Sequence, residues 1–149
     1  MLVSQLCQIE VACCTLQTTI LQASVLMRQK HVGDLVVVSD EGDDRVPLGI
    51  ITDRDIVVEV LGAGCNPATT TVGTIIRRPV VLVNEDDDAA QALEQMQAHG
   101  IRRVPVVDRK GQLAGIITVD DLLKALASDA SRLAETIARE QSQERRARR

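Results

Sequence analysis

Two Thr-x-x-Asp pairs each place a hydroxyl and a carboxylate three residues apart in this sequence, a combination that can cap a helix or contact a ligand. Thr52 precedes Asp55, Thr118 precedes Asp121, and each pair follows a Gly-Ile-Ile tripeptide. A Thr at a helix start with an acid three residues later is typical of a capping box, which stabilises a helix by about 1 kcal/mol. The same arrangement suits a nucleotide, because a helix N-terminus attracts an anion and a carboxylate accepts hydrogen bonds from ribose hydroxyls. Helix capping and nucleotide binding are therefore the two interpretations of these pairs.

Both pairs lie inside a phrase that occurs twice in the chain. Residues 49–61 read GIITDRDIVVEVL and residues 115–126 read GIITVDDLLKAL, an offset of 66 between positions 49 and 115. Further upstream Met27 aligns with Met96, an offset of 69, so a loop is three residues longer in the first copy. Conserved phrases with a variable loop between them indicate a duplicated structural unit.

Each copy is predicted to run strand, helix, strand, strand, helix. Runs of β-branched residues indicate the strands, and apolar residues at helical spacing indicate the helices. In the first copy the predicted strands are 11–14, 35–38 and 46–51, and the helices are 18–30 and 53–61. In the second copy the predicted strands are 80–83, 104–107 and 113–117, and the helices are 87–98 and 119–127.

This element order predicts a mixed α/β (α+β) fold made of two tandem repeats. The repeats are expected at 1–66 and 67–127, followed by a helical, Arg-rich tail at 128–149. A unit of about 60 residues buries only about 60% of its unfolded surface. The two repeats are therefore expected to pack face to face with pseudo-twofold symmetry and to leave clefts between them. The tail carries a narrow apolar stripe for a partner helix or the domain body, formed by Leu126, Ala130, Leu133 and Ile137.

Composition narrows the classes of function. The chain of 149 residues contains no Phe, Tyr or Trp, which excludes aromatic cages and stacking platforms for bases. Its net charge is −4 and its isoelectric point about 5.2, which argues against a general nucleic-acid binder. Residues 139–149 are the exception, with five Arg against two Glu. They are either a solvated tail or a contact for an anionic partner.

The cysteines and the apolar segments predict a reduced, cytoplasmic protein. Cysteines stand at positions 7, 13, 14 and 65, without a Cys-x-x-Cys motif and without histidines at ligand spacing. No metal site is therefore expected. No apolar run approaches 18 residues, so no membrane span is expected either. Catalysis is not expected, because no nucleophile stands in a pattern with a base.

The duplicated phrases resemble those of a CBS domain pair, also called a Bateman module. The resemblance rests on HVGDLVVVSD, PLGIITDRDIVVEVL, GIRRVPVVD and LAGIITVDDLLKAL, and it covers about residues 3–127. It implies a stand-alone, bacterial-type, non-catalytic regulatory module. It further implies an adenosine ligand, such as AMP, ADP, ATP or S-adenosylmethionine, in two clefts between the repeats. The family usually forms homodimers that regulate an effector protein, which the sequence does not identify.

The resemblance also implies two unequal clefts. In the preferred cleft Thr118 and Asp121 would hold the ribose, and Arg102 and Arg103 would contact phosphate. The residues carried over to this cleft are Thr18, Ala23, Val32, Arg102, Arg103, Thr118, Asp120 and Asp121.

The second cleft is predicted to bind phosphorylated ligands weakly, to be empty, or to favour an uncharged or cationic adenosine compound. Gly33 and Asp34 stand where the preferred cleft has two arginines, and Asp87 stands opposite Thr18. The residues carried over to this cleft are Gly33, Asp34, Thr52, Arg54, Asp55, Asp87, Ala92 and Ile101. The alternative to ligand binding is an interaction module in which the Thr-x-x-Asp pairs only cap helices.

Overall fold

The chain folds into two halves with the same element order. The computed structural model describes residues 1–76 and 79–148. The strands are β1 (Cys13–Cys14), β2 (Asp34–Val38), β3 (Pro47–Thr52), β4 (Val83–Asn84), β5 (Arg103–Val107) and β6 (Leu113–Thr118). The helices are α1 (Val3–Leu6), α2 (Ile20–Lys30), α3 (Asp53–Asp55, continued by a π-helical segment Ile56–Leu61), α4 (Val72–Ile75), α5 (Ala89–His99) and α6 (Val119–Ala147).

Each half contains one three-stranded sheet with the same topology. β1 runs parallel to β2 and β2 antiparallel to β3, and β4, β5 and β6 repeat this pattern. The register pairs Asp34 with Thr52 in the first sheet and Arg103 with Thr118 in the second. Asp34 and Arg103 are therefore equivalent positions at the edge where the Thr-x-x-Asp helices begin. The predicted α+β fold of two tandem repeats is confirmed.

Three apolar clusters hold the molecule together. The first lies within the first half around Ile20, Leu35 and Ile51, and the second lies within the second half around Met96 and Ile117. The third cluster joins the two sheets, since it combines residues of β2 with residues of β6. Its buried members are Val36, Val38, Leu113 and Ile116. This shared core is what a pair of small repeats needs for stability.

The two halves exchange their leading segments. Val3 of α1 is fully buried in the second cluster, and its N–H donates to Asp87 O at 2.9 Å. Conversely, Val72 of α4 is fully buried in the first cluster, and its N–H donates to Thr18 O at 2.8 Å. Positions 3 and 72 are 69 apart, the offset of the duplication. Each half is therefore completed by a short helix that lies next to the other half in the sequence. The repeat boundaries at 66/67 and 127/128 stay a prediction.

Several predicted elements differ from the observed ones at their ends. Of the predicted strand 80–83, only position 83 is in a strand, because β4 pairs with β5 at two positions only. Helices α1 and α4 were not predicted, because four residues are too few to show a helical period. The predicted helix 119–127 and the helical tail form one uninterrupted helix, α6, of 29 residues. No Gly or Pro occurs between 119 and 147 to end it.

Candidate functional site

The two Thr-x-x-Asp pairs form the same structure at the ends of β3 and β6. Asp121 N–H donates to Thr118 Oγ1 at 3.2 Å, and Thr118 N–H donates to Asp121 Oδ2 at 2.9 Å. The corresponding distances for Thr52 and Asp55 are 3.1 and 2.9 Å. Each Thr keeps an extended backbone, so its side chain faces the first turn of the helix. The capping interpretation is therefore confirmed for both pairs, and nucleotide binding has to be judged from what surrounds them.

An open cavity of about 300 Å³ lies beside the second pair, between the two halves. Its volume is at the low end of the roughly 300–1,000 Å³ typical of small-molecule sites. It is lined by the N-terminal segment, by the start of β2, by β6 and by the first turns of α6. The lining residues are Gln8, Glu10, Val11, Ala12, Val32, Gly33, Asp34, Arg103, Ile116, Thr118, Asp120, Asp121 and Lys124.

Gln8 is the direct contact of Asp121 in this cavity. Its Nε2 donates to Asp121 Oδ1 at 3.1 Å, while Thr118 Oγ1 donates to Oδ2 at 2.8 Å. The Asp121 carboxylate is therefore already well supplied with donors. A ribose diol that binds there competes with the Gln8 amide for Asp121 Oδ1.

The backbone holds Gln8 in position. Gln8 N–H donates to Ile116 O at 2.8 Å, and Ile116 N–H donates to Gln8 O at 2.9 Å. The N-terminal segment comes so close to β6 at this point that position 115 has to be a glycine. A Cβ on Gly115 would lie 2.6 Å from Gln8 O. Sequence reasoning missed Gln8. The sequence did contain a signal for this segment, namely the offset of 69 between the two copies. This offset relates residues 3–6 to residues 72–75, so the duplication extends to the N-terminal segment. The same offset relates Gln8 to position 77, which lies outside the described residues.

The two arginines predicted to contact phosphate are both ion-paired. Arg103 pairs with Asp34, so the two equivalent positions of the halves contact each other across the cavity. Such a contact is expected beside an approximate twofold axis, as the pseudo-twofold packing requires. Arg102 lies at 3.6 Å from Asp120 with 72% of its side chain exposed, and it is not among the described lining residues.

The remaining residues predicted for the preferred cleft divide into two groups. Val32 and Asp120 line the cavity with Thr118, Asp121 and Arg103. Thr18 and Ala23 are not among its described lining. Thr18 Oγ1 accepts the N–H of Thr15 at 3.1 Å, and Ala23 is fully buried in the first cluster.

The described contacts of the residues predicted for the second cleft differ from one residue to the next. Gly33 and Asp34 line the same cavity as Asp121. Ala92 is fully buried in the second cluster, and Ile101 packs against it. Asp87 Oδ2 accepts the N–H of Asn84 at 2.8 Å. Arg54 is exposed on α3, beside the Thr52–Asp55 cap.

One buried and two half-buried thiols have raised pKa values. Burial raises the pKa of the Cys14 thiol to about 12, and the neighbouring Cys13 adds to the effect. Burial also raises the pKa of Cys7 and of Cys13. Because the thiolate is the reactive form, these three side chains are suited to packing.

The described ranges contain neither a metal-binding cluster nor a membrane-spanning helix. Within 1–76 and 79–148, no three His, Cys, Asp or Glu side chains lie close enough to hold a metal ion. Over the same residues, no helix combines the length and the apolar character that crossing a bilayer requires.

Comparison with known proteins identifies the duplicated unit. The pattern described as "CBS domain" matches residues 3–62 and 72–128. The chain belongs to the CBS domain family. The first half is therefore the first CBS repeat and the second half the second CBS repeat.

Curated CBS relatives cover most of this chain. An uncharacterized protein of Methanopyrus kandleri is 38% identical over 106 residues, which are 71% of this chain and 53% of that protein. Hypoxic response protein 1 of Mycobacterium tuberculosis is 36% identical over 120 residues, which are 80% of this chain and 81% of the relative. The chain thus spans about half of the first relative and most of the second.

Solved CBS structures have the same fold. Hypoxic Response Protein I, with two coordinated zinc ions, matches with a TM-score of 0.73 and 32% identity over 83% of this chain and 98% of that one. A CBS domain protein of Pyrobaculum aerophilum complexed with AMP matches with a TM-score of 0.74 over 86% of this chain and 99% of that one. A CBS domain pair in complex with 5′-methylthioadenosine and S-adenosyl-L-methionine also matches at 0.74, over 87% and 98%. These last two are 24% identical to this chain, so they establish the fold alone.

Proposed function

We propose that this CBS pair is a non-catalytic regulatory module that binds one adenosine-containing ligand in the cavity beside Asp121. The observation that carries the proposal is the Asp121 carboxylate, which lines an open cavity at the N-terminus of α6. Structural neighbours of the same fold have been crystallised with AMP and with S-adenosyl-L-methionine.

The ligand would contact both repeats at once. The ribose would bind at Thr118 and Asp121, displacing the Gln8 amide. Because the chain has no aromatic residues, the base would lie against aliphatic side chains of the lining, namely Val11, Ala12, Val32 and Ile116.

Regulation would follow from this bridging position. A ligand that contacts both repeats favours the arrangement of the halves in which all of its contacts are made. The site lies at the first turn of α6, and α6 extends 29 residues, about 44 Å at 1.5 Å per residue. A protein effector that reads α6 would sense the occupancy of the cavity.

A matched pair of variants tests ligand binding. Asp121→Ala and Asp55→Ala remove the same capping carboxylate, but Asp55 is not among the described residues that line the cavity. With the best of AMP, ATP and S-adenosylmethionine at about 100 times its Kd, the wild type should gain about 5–10 °C in Tm. Asp55→Ala should keep this gain and Asp121→Ala should lose it. A dye-based thermal shift with calorimetry is required, since the chain has no Trp or Tyr.

A second candidate is ligand-independent homodimerisation, which exposed apolar side chains favour. Seven large apolar residues of the π-helical segment and of α6 are at least half exposed, namely Val57, Val58, Leu61, Leu123, Leu126, Leu133 and Ile137. On this alternative, sedimentation shows twice the 16.2 kDa chain mass without ligand. No adenosine compound then shifts Tm, and Asp121→Ala costs only the cap, about 1 kcal/mol.

A further inference from the structure

The charges around the cavity differ from those that a phosphate group needs. The described lining contains four carboxylates, of Glu10, Asp34, Asp120 and Asp121, against two cations, of Arg103 and Lys124. The formal charge of the lining is therefore −2. It is still −1 when Arg102, which pairs with Asp120 from outside the lining, is included.

The arginine nearest the cavity is not available to a phosphate without competition. Arg103 is paired with Asp34, and the two side chains are only 34% and 20% exposed. A phosphate that takes Arg103 leaves the Asp34 carboxylate half-buried beside a second anion. Like charges at close range in a partly buried site repel strongly.

Two further cations lie in a neighbouring depression. Lys30 and Arg45 line a space that shares Glu10, Val11, Ala12 and Val32 with the cavity. A 5′-phosphate is attached directly to the ribose. Lys30 and Arg45 are not among the described residues that line the cavity beside Asp121, so the charges nearest to a ribose held at Asp121 are those of that lining.

We propose that the cavity selects adenosine ligands whose 5′ substituent is uncharged or cationic, and that the Asp34–Arg103 ion pair excludes 5′-phosphates. This inference rests on the proposed function, and it names the class of ligand within it. Adenosine, 5′-methylthioadenosine and S-adenosylmethionine belong to the accepted class, and AMP belongs to the excluded class.

Titration calorimetry with adenosine and AMP on the full chain tests the selection. The wild type should bind adenosine at least about tenfold more tightly than AMP. Asp34→Asn keeps the shape of the side chain and frees Arg103, so AMP affinity should rise about tenfold while adenosine affinity stays the same. Glu135→Gln, on the exposed part of α6, removes one negative charge away from the cavity and should change neither affinity.

A double variant and a salt series complete the test. The double variant Asp34→Asn, Arg103→Gln should lose the rise in AMP affinity that Asp34→Asn alone gives. The reason is that this rise requires the freed guanidinium of Arg103. In the wild type, raising the salt concentration should narrow the ratio of the two affinities, and this measurement needs no variant to fold. Equal binding of AMP and adenosine in the wild type overturns the selection but leaves the proposed function intact. Failure of every adenosine compound to bind overturns both.

Discussion

At the start of its central strand the first CBS repeat has Asp34, whereas the second has Arg103 at the equivalent position. The helix starts beside them are alike, since Thr52–Asp55 and Thr118–Asp121 form the same capping box within 0.1 Å. The duplicated backbone and its caps have therefore been kept while the side chains around them have diverged. Repeats that are alike in local structure can thus differ in the ligand chemistry that they offer.

The largest effect is expected from adding a methyl group at the close approach of the N-terminal segment. A Cβ on Gly115 would lie 2.6 Å from the backbone O of Gln8, and backbone cannot rotate away. Gly115→Ala should lower the free energy of unfolding by about 1–3 kcal/mol. It should also change adenosine affinity, because Gln8 contacts Asp121. Urea unfolding and calorimetry measure the two effects.

Gly49→Ala is the matched control in the first repeat. There the nearest described atom to the new Cβ is the end of a side chain, Ile76 Cδ1 at 3.0 Å. This side chain can move, and Gly49 is not among the described residues that line the cavity, so adenosine affinity should stay the same. An equal change of adenosine affinity in the two variants would show that the change in Gly115→Ala does not depend on Gln8.

Removing the capping hydroxyls should destabilise both repeats, and the second slightly more, because Thr118 Oγ1 also donates to Asp121 Oδ2 at 2.8 Å. Thr52→Ala and Thr118→Ala each delete an oxygen that accepts a helix N–H, at 3.1 and 3.2 Å. Each should cost about 1 kcal/mol in the free energy of unfolding, measured by urea denaturation. If the losses of unfolding free energy in the two variants differed by much more than about 1 kcal/mol, the two caps would not be equivalent.

Gln8→Ala should increase the affinity for the ligand. The amide of Gln8 competes with the ribose for Asp121, and a net hydrogen-bond energy of about 1 kcal/mol corresponds to about fivefold in Kd. Gln5→Ala is the control, because Gln5 Oε1 accepts the N–H of Leu2 at the start of α1 and Gln5 is not among the described residues that line the cavity. Calorimetry with adenosine measures both. A lower affinity in Gln8→Ala would instead make Gln8 part of the binding contacts.

The smallest expected effect is on the stability of the fold in acid. It comes from the difference between the N-cap residues of α2 and α5. α2 is capped by Thr19, which does not titrate, and α5 by Asp88. The N–H of Ala90 and the amino terminus donate to Asp88 and hold its pKa below the ordinary value of 3.8. A carboxylate with a lowered pKa stabilises the fold fully at pH values above its ordinary pKa. This stabilisation is lost as the pH falls through the lowered pKa.

Asp88→Thr copies the first repeat and tests this difference. The variant should lose slightly less stability than the wild type when the pH is lowered from 5 to 2 (about the range over which carboxylates titrate). Thermal unfolding at each pH measures the two slopes, and identical slopes for wild type and Asp88→Thr would contradict the prediction.

The features that depend on near neighbours along the chain could be predicted from the sequence. The period of apolar residues indicated α2 and α5, the β-branched runs indicated β2 and β3, and the repeated Thr-x-x-Asp indicated both helix caps. The duplication indicated the family, and the small size of each copy indicated a shared core. These inferences succeed because helices, strands and caps are decided by residues within a few positions of one another.

Which side chains meet in the cavity depends on how the two repeats pack, and it could not be predicted from the sequence. Gln8 lies 113 residues from Asp121, and Asp34 lies 69 from Arg103. No local period encodes these contacts, because they arise when the two repeats pack and exchange their leading segments. The sequence therefore predicted arginines ready for phosphate, whereas packing pairs Arg103 with a carboxylate of the other repeat. The physical reason is that the charge available to a ligand depends on what has already been neutralised across the interface between the repeats.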